Sequence, residues 1–186
     1  MKNILLLGDS IRIGYDEFVK EKLEGKADVF FPEDNCRFAQ YMLRYLGNWK
    51  DLAEPESVDI VHWNCGLWDI LRMDGDEVFT PKEFYVHTIV RIAKKMKLFF
   101  PNARIIFALT TPVIESWGSE NFMRYNSDIE EYNAAAIDAL TPLGVEINDL
   151  YSTAAKFDES LRKDWTHFND DGSNLLADAV VKAINI

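Results

Sequence analysis

Apolar residues in this chain follow two rhythms. Short apolar runs, several of them continuous, occupy 3–7, 27–31, 58–64, 104–109 and 145–150. Runs of that length, rich in Leu, Ile, Val and Phe, predict strands covered on both faces. Between and after them, apolar positions recur every three or four residues, which predicts helices over 14–24, 37–50, 81–99, 120–141 and 171–184. The third helix has the clearest start. Thr80 is the expected cap, Pro81 the first helical residue and Glu83 the partner in a capping box. Tyr85, Ile89, Ile92, Ala93 and Met96 then fall on one face, and Pro101-Asn102 closes the segment. Gly25, Gly47 and Gly144 mark expected stops of other helices.

Strand and helix alternate throughout, which predicts a parallel sheet with right-handed crossovers. The expected fold is α/β: a three-layer α/β/α sandwich around five parallel strands, forming one domain over residues 1–186. In such folds ligands bind beyond the carboxyl ends of the strands. That rule selects 8–12, 32–37, 64–69, 110–117 and the loop after Leu150 as the places to look for chemistry.

Composition narrows the classes of function. Of 186 residues 48% are hydrophobic and 27% charged, the profile of a water-soluble globular chain. The formal net charge of -11 argues against nucleic acid or an anionic membrane as partner, since both reward clustered Lys and Arg. No apolar run approaches the roughly 18 residues of a membrane span. The first strand begins almost at Met1 and runs into Gly8-Asp9-Ser10, unlike a signal-peptide cleavage site, so a cytoplasmic location is expected. Cys36 and Cys65 make neither a disulfide framework nor a zinc site and read as free thiols, small buried hydrophobes near the strand ends.

The candidate chemistry begins with Ser10, at the mouth of the first strand. A base must come from three histidines. His62 lies inside the third apolar run and reads as a core histidine. His87 falls on an outer helix face. His167 closes Asp164-Trp165-Thr166-His167, directly before the last helix. A carboxylate three residues earlier on a turn can fix the imidazole tautomer and stabilise the imidazolium. Read alone, that spacing also suits a helix cap. With Ser10 on the same sheet edge it suits a Ser–His–Asp constellation. No Gly-x-Ser-x-Gly elbow is present. A phosphate loop and a receiver-type acidic pair are also missing after the first strand, which argues against a flavodoxin or receiver reading from fold alone.

Gly8-Asp9-Ser10, a glycine turn after the third strand and Asp164-x-x-His167, in that order and spanning nearly the whole chain, resemble the SGNH (GDSL) hydrolases. The resemblance implies a flavodoxin-like sandwich, with Ser10 as nucleophile, His167 as general base and acid, and Asp164 as its orienter. It also implies an oxyanion hole built in part by the Ser10 N–H. The middle blocks depart from the family. Where a Gly usually donates its N–H after the second strand, this chain has Pro32-Glu33-Asp34-Asn35-Cys36-Arg37, so the Arg37 or Cys36 N–H is the candidate. Where Gly-x-Asn-Asp is usual, it has Gly66-Leu67-Trp68-Asp69. Asn64 is the substitute by residue type and Asn35 a second candidate, with turn capping as the other reading of each. Losing one such donor costs roughly 3–4 kcal/mol in the chemical step.

Arg12 either contacts substrate or pairs with Asp16. Trp68, Trp117 and Trp165 fall on loops around the expected site, where flat apolar faces suit a sugar ring. The resulting expectation is a serine esterase acting on a short-chain, carbohydrate O-acetyl type of ester through an acyl-enzyme. It needs no metal or cofactor, and its ligand is a small-molecule or carbohydrate ester, bound through Asn35, Trp68 and Trp117. The alternatives are an acyltransferase with the same triad and a non-catalytic binding module. Oligomeric state is not legible.

Overall fold

The computed structural model describes residues 1–186. In chain order, β1 (Lys2–Leu7) leads into α1 (Ser10–Lys22), β2 (Ala27–Phe30), α2 (Ala39–Trp49) and β3 (Ile60–Trp63). After β3 come a short strand β4 (Arg72–Met73), α3 (Lys82–Phe99), β5 (Arg104–Ala108) and a second short strand β6 (Phe122–Met123). The chain ends with α4 (Asn126–Leu140), β7 (Glu146–Asn148), α5 (Leu150–Ala154) and α6 (Asp170–Ile184).

Five strands form a sheet in the order β2-β1-β3-β5-β7, and every neighbouring pair is parallel. This is the flavodoxin-like order, in which the direction of winding reverses between β1 and β3. Right-handed crossovers then send helices to opposite faces. α1 packs on α6 over one face, while α2, α3 and α4 pack side by side over the other. A single contiguous cluster of 47 buried hydrophobic residues fills both interfaces. Residues 4–7 of β1 are buried on alternate sides alike, which is why that strand reads as an unbroken apolar run. The α/β sandwich expected from the sequence is therefore borne out. No helix is long and apolar enough to cross a membrane.

Four local expectations are corrected. α1 starts at Ser10 rather than 14, because the Asp9 carboxylate caps it by accepting the Ile11 N–H at 3.0 Å. α2 runs through Gly47 to Trp49, whose buried ring continues the Tyr41–Tyr45 aromatic row. α3 is capped at Pro81 without a side-chain bond, not by Thr80. Thr80 is buried, with its N–H on Asp69 O and its carbonyl accepting the Tyr132 hydroxyl. α4 begins at Asn126, since Phe122 and Met123 pair antiparallel with Met73 and Arg72 instead of joining the helix.

Asp69 holds the start of α2. Fully buried, its carboxylate accepts the Ala39 N–H at 3.2 and 3.1 Å, a duty the N-cap residue Phe38 cannot perform. Burial pushes its pKa up to about 7, against the pull of the Ala39 N–H and Thr80. A carboxyl with a raised folded-state pKa is bound to its proton more tightly in the folded chain. Its contribution to stability is therefore greatest at acid pH and is lost as pH rises from about 4 to about 7. Asp69→Asn, which cannot ionise, is expected to gain stability relative to the parent across that window. The gain is up to ~4 kcal/mol at ~1.4 kcal/mol per pKa unit, and it levels off above pH 7. Urea unfolding of both proteins at a series of pH values checks this, and a pH-independent difference contradicts it.

Candidate active site

The carboxyl end of β1 meets the turn before α6 at the point where the winding of the sheet reverses. Ser10 is the first residue of α1, so its N–H is one of the orphan amides of the first turn and points outward from the helix N-terminus. Its Oγ lies 2.7 Å from His167 Nε2, joining residues 157 apart in the chain. On its other side, His167 Nδ1 lies 2.8 Å from Asp164 Oδ2. With Nδ1–H donating to that carboxylate, Nε2 is the acceptor for the serine hydroxyl.

Asp164 is fixed by the backbone it turns. Its Oδ1 accepts the N–H groups of Thr166 and His167, each at 2.8 Å. Partial burial pushes its pKa up, but those two N–H bonds and the imidazole outweigh it and hold the carboxyl below its ordinary value. The turn is moored to the loop after β5. Ile114 donates its N–H to Trp165 O at 2.8 Å, and Arg162 Nη1 donates to Pro112 O at 3.0 Å. That loop is in turn held by α4. Asn133 exchanges two bonds of 2.9 Å with the backbone of Thr110, and Asn126 does the same for Val113 at 2.9 and 3.0 Å.

Under Ser10, Asp9 is almost fully buried. Its Oδ1 accepts from Ile11 N–H and from Asn64 Nδ2, the latter at 2.9 Å, while Oδ2 has no partner. Burial raises its pKa, opposed by Asn64, Ile11, Arg124 and His167. Asn64 lies against Gly8 so closely that a Cβ there would stand 2.0 Å from Asn64 Oδ1. Gly66 serves a similar purpose on the next turn. Its φ of 147° is open to glycine, and a Cβ would stand 2.3 Å from Thr110 Oγ1.

The other residues selected from the sequence have definite places. The Arg37 N–H donates to Asn35 Oδ1 at 2.9 Å, and the Cys36 N–H donates to Gly8 O at 3.0 Å. Both amides suggested for the middle block are thus engaged within the chain, while Asn64 commits one of its two Nδ2 hydrogens to Asp9. Asn35 is half-buried and closes its own turn. Trp68 and Trp165 are half-buried, and Trp117 is 48% exposed on the turn Glu115–Trp117. Arg12 is 1% exposed and takes the structural option, bonding Asp16 Oδ2, Pro32 O and Asp34 O. His62 is buried, meets Asn148 Nδ2 at 3.0 Å and is pushed by burial down to about 3, so it is neutral. His87 is exposed. Cys36 and Cys65 are free and buried, and burial pushes the Cys36 thiol up to about 12.

One residue beside the site escaped selection. Arg124 follows β6 and is 4% exposed. Its Nε donates to Leu67 O and its Nη1 reaches Thr166 Oγ1 at 3.4 Å. The guanidinium carbon lies 5.2 Å from the Trp165 ring centre and 5.4 Å from that of Phe122. Burial lowers it to about 10, so it stays charged at neutral pH, within electrostatic reach of Asp9 and Asp164. Its only sequence signal is a cation between aromatic residues at the start of a helix.

With this geometry in view, comparison with known proteins is informative. No family model matches the chain. Aligned over 201 positions it is 26% identical to the GDSL esterase/lipase CPRD49 of Arabidopsis thaliana, spanning 97% of this chain and 78% of that protein. Among solved structures, the acetyl xylan esterase AlAXEase superposes with a TM-score of 0.77 at 16% identity, covering 98% of this chain and 99% of the other. A lipase/acylhydrolase from Enterococcus faecalis gives 0.76 at 20% identity, covering 99% and 95%. A member of the lipolytic G-D-S-L family from Veillonella parvula gives 0.72 at 20% identity over 100% of both chains. The sequence likeness bears out the resemblance to a GDSL esterase/lipase, and the superpositions show that the fold is shared.

The close fit of Asn64 under Gly8 yields a test of how the site is built. Gly8→Ala must displace Asn64 from Asp9, since its Cβ would also lie 2.8 Å from Arg12 Cβ in a packed region. A loss of about 1–3 kcal/mol in unfolding free energy is expected by denaturant titration. An unchanged midpoint would show that the contact has slack.

Proposed function

We propose that the protein is a serine esterase in which Ser10 is the nucleophile, His167 the general base and acid, and Asp164 the group that orients and charge-balances the imidazole. The observation that carries this reading is the continuous pair of hydrogen bonds, Ser10 Oγ to His167 Nε2 at 2.7 Å and His167 Nδ1 to Asp164 Oδ2 at 2.8 Å. The likeness to a GDSL esterase/lipase along nearly the whole chain supports it independently.

As Ser10 Oγ bonds to the ester carbonyl carbon, its proton passes to His167 Nε2 and the carbonyl electron pair moves onto oxygen. Asp164 stabilises the imidazolium, and its depressed pKa keeps it ionised for that task. Collapse of the tetrahedral intermediate breaks the bond to the alcohol oxygen, which takes the proton from Nε2 and leaves. Water then repeats the sequence on acyl-Ser10, with His167 as base, releasing the acid and restoring the serine. The Ser10 N–H, at the positive end of α1, is one donor to the oxyanion.

For the substrate we favour a short acyl ester of a carbohydrate. Trp117 offers an exposed ring, and Trp68 and Trp165 are partly accessible on neighbouring loops, surfaces on which a sugar can stack. An acetyl xylan esterase is among the structures that superpose well.

Ser10→Ala is expected to reduce hydrolysis of an aryl acetate by roughly 10⁴-fold or more, with the fold intact by circular dichroism. Asp164→Asn, which unsettles the tautomer, is expected to lower kcat by up to about 10⁴-fold. Hydrolysis undiminished in Ser10→Ala removes Ser10 from the mechanism. Product analysis in the presence of a sugar acceptor separates release of acid from transfer of the acyl group.

A further inference from the structure

Attack by Ser10 creates a negative oxygen, and the middle blocks of the chain depart from the usual means of holding it. Trp68 stands in the position where an asparagine amide is expected. The Arg37 and Cys36 N–H groups have partners inside the chain, and one of the two Asn64 Nδ2 hydrogens is committed to Asp9. The Ser10 N–H and the second Asn64 N–H, both uncharged donors, remain from the candidates legible in the sequence.

Arg124 is held where a replacement is needed. Its anchors are chain neighbours of the site. Leu67, which accepts from Nε, precedes Trp68. Thr166, which Nη1 reaches, precedes His167. Of the two carboxylates that attract it, Asp9 precedes Ser10 and Asp164 is the partner of His167. The guanidinium is clasped by the Trp165 and Phe122 rings, which restrict its movement.

Its bonding is also incomplete in a telling way. Arg12, also buried, is ion-paired with Asp16 and bonded to two carbonyl oxygens, with only its Nε left over. Arg124 makes no ion pair, its contact to Thr166 is long, and Nη2 has no partner although it is not sealed from solvent. A buried cation left unpaired is costly in the resting protein. The same charge is worth most to an anion that appears only during reaction, in a site already arranged to receive it.

We infer that Arg124 is a charged donor to the oxyanion, acting beside the Ser10 N–H and adding the stabilisation that Trp68 cannot supply. It forms and breaks no covalent bond. It donates a hydrogen bond to the oxygen that receives the carbonyl electron pair, and it keeps its own protons. The inference rests on the esterase reading above, and it deepens that reading by naming the group that stabilises the intermediate.

The test compares Arg124→Met and Arg124→Lys with the parent on an aryl acetate, with thermal unfolding as a folding control and Ser10→Ala alongside. For Arg124→Met, kcat is expected to fall about 100- to 1000-fold with KM within about threefold. Arg124→Lys, which keeps the charge but not the planar fork, is expected to lie between. Millimolar guanidinium is expected to restore part of kcat to Arg124→Met and none to Ser10→Ala. If the Met variant does not fold, the Lys variant carries the test, with a fall of about tenfold or more in kcat at an unchanged unfolding midpoint. A folded variant with parental kcat overturns the inference, and so does a loss confined to KM, which would assign Arg124 to substrate binding. Activity surviving in Ser10→Ala overturns the esterase reading itself. An inactive Ser10→Ala beside fully active Arg124 variants overturns only the role given to Arg124.

Discussion

The buried carboxylate of Asp9 is the constraint on which the rest of the site depends. One of its oxygens accepts from the Ile11 N–H and the Asn64 amide, so it caps α1 and fastens the end of β1 to the end of β3 in a single interaction. Ser10 follows immediately. Its direction is set by that cap, and only in that direction does its hydroxyl meet an imidazole delivered from the far end of the chain. The absence of a side chain at Gly8 is what lets Asn64 come close enough to complete the arrangement. Burying a carboxylate is expensive unless it is bonded. Here the cost is reduced, though not cancelled, by local hydrogen bonds and by the positive charge of Arg124 nearby.

Charge around the site has a simple logic. Asp164 is a carboxylate held below its ordinary pKa, Asp9 a buried carboxyl that burial raises, and the proposed reaction makes a transient imidazolium and a transient oxyanion. Asp164 meets the imidazolium directly. Arg124 faces both carboxylates without pairing with either, so its field remains available to the oxyanion. The same buried environment leaves Cys36 and His62 inert, one thiol pushed to about 12 and one imidazole to about 3. Electrostatics thus concentrates reactivity on one serine and one histidine among several residues that are capable of chemistry in principle.

The sheet was largely legible in the sequence because parallel strands buried on both faces leave continuous apolar runs, as in Ile4 to Leu7. Helix ends were less legible. The start of α1 is set by the Asp9 cap, which precedes any apolar periodicity, and α2 passes Gly47 because Trp49 is drawn into the aromatic row beyond it. The pairing of β4 with β6 involves two residues on each strand, too few for a period to register. At the site, Ser10, Asp164 and His167 were readable because their spacing is local or tied to a strand end. The occupied state of the Arg37 N–H and of one Asn64 N–H was not, since it depends on turns that close only in three dimensions. Arg124 was not legible as part of the site. Its relation to Leu67 and Thr166 spans 57 and 42 residues and has no trace in the order of the chain.

The central claim is that Ser10 carries the acyl group during turnover. It is tested most directly by mixing the protein with an activated acetate ester, quenching in acid before deacylation is complete, and mapping the adduct by peptide mass spectrometry. The account predicts one acetyl group on the peptide bearing Ser10, formed in a burst and lost at the rate of turnover. Steady turnover with no adduct, or with the acetyl group on a different residue, would contradict it.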